Sequence, residues 1–100
     1  MAKTAAQVRR GKESAKSAAF GRTLYALRVE KGYSQEELSF RCEIDRSYVS
    51  ALERGVKEPC LIMLIKLSDG LDTPLSELFR RFELDDAGPK ASPRRNPRVR

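Results

Sequence analysis

The stretch Ser34–Gly55, SQEELSFRCEIDRSYVSALERG, limits this chain more than any other. It carries two helix starts with room for only a short corner between them. Ser34 and Glu37 form a capping box, in which each side chain satisfies the other residue's free backbone N–H. The helix they open ends near Cys42. Asp45 is an N-cap type of residue, and the helix it opens ends at Gly55. Glu43, Ile44 and Asp45 remain as the turn, a length that suits a helix-turn-helix. Leu38, Cys42, Ile44, Val49 and Leu52 would then point inward. Ser39 is small where the second helix would crowd the first.

The flanking segments also read as helices. Phe20, Leu24 and Leu27 recur at helical spacing in a segment of about 17–31, which Gly32 stops. After a loop at Lys57-Glu58-Pro59, another helix runs from about Leu61 to Leu71. The last opens on Thr73-Pro74, a cap residue and then a proline whose missing N–H costs nothing there. It carries Leu75, Leu78, Phe79 and Phe82. No segment sustains the alternation of a strand. The expected fold class is all-α, with five helices.

One hundred residues make one small domain. The net charge of +6 is unevenly spread. Residues 1–16 hold five bases and one acid, residues 84–100 five bases and two acids, and residues 17–83 ten bases and eleven acids. The excess therefore sits in the ends. Residues 1–16 read as a basic flexible N-terminal arm, 17–83 as the folded domain, and 84–100, with three prolines and a glycine, as a disordered basic tail. Such arms are drawn to an anionic polymer.

Several classes of function are not expected. The chain has no histidine, no carboxylate cluster and no glycine-rich phosphate loop, which argues against an enzyme. Cys42 and Cys60 lie eighteen positions apart with no CxxC motif, so no metal and no cofactor are expected. Both thiols read as small apolar side chains, with a redox-sensing pair as the alternative. There is no apolar run of membrane-spanning length and no apolar block of a signal peptide. A soluble cytoplasmic protein without membrane or small-molecule partners is expected.

The run SQEELS…IDRSYVSALERG, preceded by FGRTLYALRVEKG and followed by Pro59 and the leucines of LIMLIKL, resembles the lambda-repressor/Cro-like helix-turn-helix family, also called the xenobiotic-response-element family. The match spans about residues 20–79. Within the family it is similar to short stand-alone regulators, including restriction–modification controller proteins. The resemblance implies a five-helix lambda-repressor-like fold and sequence-specific transcriptional regulation on double-stranded DNA. It places the helix of about 46–54 in the major groove. Arg46 can donate two bonds to guanine O6 and N7, and Ser47 and Ser50 can donate to or accept from several bases. Gln35, Tyr48, Arg54 and Lys57 are the expected DNA-backbone contacts. Arg28 and Glu53 match a partly buried ion pair between the first helix and the end of the third, a structural role. Four positions depart from the family pattern. Glu43 stands where the turn usually has glycine, Cys60 where a Ser or Thr cap is usual, and Thr23 and Tyr25 where arginine is frequent.

The fourth helix is apolar nearly all round. Its core face needs Leu61, Leu64, Leu67 and Leu71, which leaves Ile62, Met63 and Ile65 in surplus. Phe79 and Phe82 on the fifth helix add to that surplus. A domain this small cannot bury it all, and an exposed patch of this scale marks an interface. A homodimer through Ile62, Met63, Ile65, Phe79 and Phe82 is therefore expected. The alternatives are a protein–protein adaptor using the same patch, and a redox-responsive repressor using Cys42 and Cys60.

Overall fold

The computed structural model describes the backbone of residues 4–87 and the side chains of Thr4 and residues 14–87. It contains five helices and, among the described residues, no strand: α1 (Ala5–Lys31), α2 (Gln35–Cys42), α3 (Arg46–Glu53), α4 (Leu61–Leu71) and α5 (Leu75–Ala87). α1 packs on α3 and α5, α2 packs on α3 and α4, and α4 touches α1 and α5. Leu24, Leu38, Val49, Leu52, Leu67, Leu71 and Leu78 meet at the centre, all fully buried.

α1 begins well before Ser17. Its early residues are rich in alanine, a strong helix former, and the Lys16 ammonium pairs with Asp86 of α5. Two further polar links clasp these helices. The buried Thr23 hydroxyl donates to Asp85, and Arg81 Nη2 lies 2.5 Å from Glu30 Oε2. The expected flexible arm falls partly outside the described residues; from Ala5 onward its backbone is the first part of α1. Of the expected basic tail, residues 84–87 complete α5, where these links hold them, and the remainder lies outside the described residues.

The helix ends follow local chemistry with three differences from expectation. At α2 the capping box is complete: Glu37 N–H donates to Ser34 Oγ at 3.0 Å, and Ser34 N–H to Glu37 Oε1 at 2.7 Å. Asp45 stands at the N-cap of α3 in extended backbone, yet its side chain makes no capping bond. Thr73 does not cap α5; its hydroxyl donates to the Leu71 carbonyl at 3.0 Å, and the first helical acceptor of α5 is the Pro74 carbonyl. Leu61, expected in the core, is 64% exposed because it opens α4 at the edge of the bundle.

Two close approaches set the helix positions. A Cβ at Gly21 would lie 2.5 Å from the Glu53 carbonyl oxygen, so only glycine lets α1 come this near the end of α3. A Cβ at Gly70 would lie 2.2 Å from Cys42 Sγ, which fixes α2 against α4. Arg41 strengthens that second contact by donating from Nε to the Gly70 carbonyl at 2.7 Å.

The turn between α2 and α3 keeps its left-handed residue without glycine. Glu43 has φ 59° and ψ 45°, and its N–H donates to the Phe40 carbonyl at 3.2 Å. A side chain in this region costs about 1 kcal/mol. Glu43→Gly is therefore expected to raise stability by up to about 1 kcal/mol, less the entropy that glycine adds to the unfolded chain. Urea unfolding checks this, and a lowered midpoint would contradict it.

Candidate nucleic-acid interface

α3 divides cleanly into two faces. Val49, Ala51 and Leu52 are buried against the core. Arg46 and Ser47 are exposed at its front, Ser50 is half-buried one turn on, and Arg54 is exposed just past its end. Arg54 Nε donates to Ser50 Oγ at 3.3 Å. The spacing 46, 47, 50 and 54 lays these polar groups along one stripe of the helix. Because the turn holds α2 behind α3, the front of α3 stands clear of the bundle. Nothing buries the Arg46 guanidinium, so its fork is free to reach a planar pair of acceptors.

The front of α2 is locked to this helix through one carboxylate. Arg28 Nε lies 2.6 Å from Glu53 Oε2 and Nη2 3.1 Å from Oε1, a two-bonded pair. Gln35 Nε2 also donates to Glu53 Oε1, at 2.9 Å. The remaining Arg28 donor reaches the Tyr33 carbonyl at 2.7 Å. The Arg28 and Glu53 side chains are only 11% and 6% exposed. The hydrogen bond to Glu53 raises the Arg28 pKa above its already high ordinary value, so it stays charged. Glu53 thus joins α1, α2 and α3 at one point. Gln35 sits at the first position of α2 with its amide turned inward. The helix N-terminus and Ser34 face an open cleft shared with Glu36 and Arg46.

The remaining residues singled out in the sequence fall in different places. Tyr48 is half-buried against the core, and its hydroxyl stands 3.5 Å from the Glu58 carbonyl oxygen. Burial raises its pKa, so the phenol stays protonated. Its position suits bracing the loop after α3. Lys57 is exposed on that loop, near Arg54.

Ile62 and Ile65 are exposed on α4, with Leu61 beside them, and Phe79 is exposed on α5. Phe82 is half-buried, with its ring centroid 6.1 Å from that of Phe20. Phe20, Leu64, Phe79 and Phe82 line one apolar cleft. Met63 faces another, beside Ile44 and Tyr48. Helix periodicity explains the split, since Met63 is turned well away from the stripe through 61, 62 and 65.

Both cysteines are free thiols. Burial pushes Cys42 up to about 11, which keeps it protonated and unreactive near neutral pH, while Cys60 is exposed. Among the described residues, no group of acidic, cysteine or histidine side chains could hold a metal ion, and no helix is long and apolar enough to cross a membrane.

Sequence reading passed over Phe40, which lies on the outer side of α2 and is 85% exposed. The signal was present: with Leu38 and Cys42 turned inward, residue 40 had to point outward. It also passed over the Gln35 bond to Glu53, which periodicity cannot reveal.

Comparison with known proteins places these features in context. The HTH_3 helix-turn-helix family model matches residues 24–78. The control protein C.MunI of Mycoplasma sp is 43% identical over 65 residues, 64% of this chain and 88% of that protein. The structure of the restriction-modification controller protein C.AhdI from Aeromonas hydrophila is similar at 44% identity and a TM-score of 0.61, covering 63% of this chain and 96% of that one. The C.Esp1396I controller protein, a tetramer in complex with its natural 35 base-pair operator, shares the fold at 24% identity and a TM-score of 0.68, over 72% of this chain and 95% of its own.

Proposed function

This chain belongs to the helix-turn-helix family of transcriptional regulators, and from that premise we propose that it is a homodimer that binds double-stranded DNA sequence-specifically. The observation that carries the reading is the stripe of Arg46, Ser47, Ser50 and Arg54 along the outer face of a short helix whose other face is buried in the core. A major groove admits one such helix. In this reading Arg46 reads a guanine, Ser47 and Ser50 make the adjacent base contacts, and Arg54 and Lys57 hold phosphates beyond the helix. The N-terminus of α2, with Gln35 fixed by Glu53, meets another phosphate. The similar C.Esp1396I structure is held on an operator, and the similarity to controller proteins supports a regulatory role in the cytoplasm.

The dimer contact is assigned to Ile62, Ile65 and Phe79, with Phe82 at its inner edge. Met63 is left out because it faces the other cleft.

The test is Arg46→Ala. Losing a two-bonded guanine contact should cost about 1–3 kcal/mol on a duplex selected from a random pool, and relax the preference at one base position per half-site. Affinity for a scrambled duplex should fall much less. An equal loss on both would make Arg46 a phosphate contact and remove the basis for direct readout.

A further inference from the structure

The last turn of α5 is poorly made for a helix end. Asp85 and Asp86 put two negative charges where the helix dipole is already negative, and no basic residue stands in that turn. Leu84, its one large apolar side chain, is exposed. What holds the turn is α1. The Lys16 ammonium pairs with Asp86, and the buried Thr23 hydroxyl donates to Asp85. One turn earlier, Phe82 rests against Phe20 and Arg81 is paired with Glu30. Every member of this clasp except Glu30 lies outside residues 24–78, the part that the family model matches. The clasp is therefore separate from the shared helix-turn-helix pattern.

The same stretch of α1 shapes the surface assigned to pairing. Lys16 and Ser17 wall the apolar cleft lined by Phe20, Leu64, Phe79 and Phe82. We propose that the N-terminal half of α1 is a brace for pairing, holding the end of α5 in place so that a second copy seats on this cleft. The inference rests on the dimer reading and adds what sets its strength. Phe79 belongs both to the cleft and to the exposed patch on α4 and α5, so the two surfaces are continuous. The charged groups lining the cleft, Lys16 and Glu58, are of opposite sign, so a second copy presenting the same cleft meets no net like charge. If the last turn of α5 comes loose, Phe82 loses its hold on Phe20 and the cleft loses a wall. Leu78, fully buried, still keeps the first turns of α5 on the core, so the rest of the domain stays folded.

The test uses the full chain. Lys16→Glu turns the attraction at Asp86 into a repulsion, and Lys16→Glu/Asp86→Lys restores an opposite pair. Sedimentation equilibrium at low salt should show pairing weakened about tenfold by Lys16→Glu, because each copy carries one brace and two modest losses multiply. The double change should recover most of that loss. Hydrogen exchange, read at a concentration where all samples are monomers, should quicken at the amides of residues 84–87 in Lys16→Glu and stay unchanged in α2 and α3. Unchanged pairing in Lys16→Glu, or a loss that the double change does not recover, would overturn the proposal. So would weakened pairing with residues 84–87 as protected as before, which would make Lys16 a direct contact with the second copy. An unmodified chain that is a monomer at tens of micromolar, weak association on the usual affinity scale, would instead overturn the dimer reading beneath it.

Discussion

Ile65→Glu is expected to give a folded monomer whose affinity for its selected DNA drops to the scrambled-sequence level, a loss of about a thousandfold or more. The size of the effect follows from information and symmetry. One recognition helix reads only a few base pairs. A self-complementary patch doubles the site, and two-fold dimers are the commonest soluble oligomers. Ile65 is 39% exposed and lies in the middle of an apolar stripe with Leu61, Ile62 and Phe79. A carboxylate there remains in water in the monomer, so the fold should survive. In a closed interface it would be buried against its own symmetry mate, unpaired. Sedimentation and DNA titration on the same samples check the two halves of the expectation. A variant that stays dimeric would move the interface elsewhere, and a monomer with unchanged DNA affinity would separate dimerisation from recognition.

Glu53→Ala should destabilise the domain by about 3–5 kcal/mol, the usual result of stranding one partner of a buried pair. Arg28 would keep only the Tyr33 carbonyl and the face of the Tyr25 ring, and the Gln35 amide would lose its acceptor as well. Three helices would lose a shared anchor, so the urea midpoint should fall steeply. Replacing both charges together, as in Arg28→Met/Glu53→Leu, should cost clearly less, because no charge is left without a partner. A single change as mild as a surface substitution would show that water already satisfies this pair.

Much of this was legible in the sequence because it depends on local chemistry. The capping box at Ser34 and Glu37 and the inward face of Leu38, Cys42, Val49 and Leu52 follow from spacing and backbone preference. The stripe from Arg46 to Arg54 was equally readable, because a helix with one apolar face fixes the other. What the sequence hid depends on contacts distant in the chain. Nothing near Lys16 announces that its ammonium meets Asp86, so the reach of α1 was underestimated. Leu61 reads as core by periodicity, but position at the open edge of α4 leaves it in water. Met63 lies between two faces of one helix, and only the packing of α2 against α4 decides which cleft it enters. Gly21 and Gly70 look like weak points in helices until their neighbours are seen within contact distance.

In the proposed dimer, two copies of α3 read DNA together. Footprinting on the selected duplex tests it most directly, with binding to a scrambled duplex measured at the same salt. Symmetric protection of two half-sites centred about 34 Å apart, one turn of DNA, is expected, with a strong preference for the selected sequence. Equal affinity for both duplexes, or a single protected half-site at saturation, would contradict it.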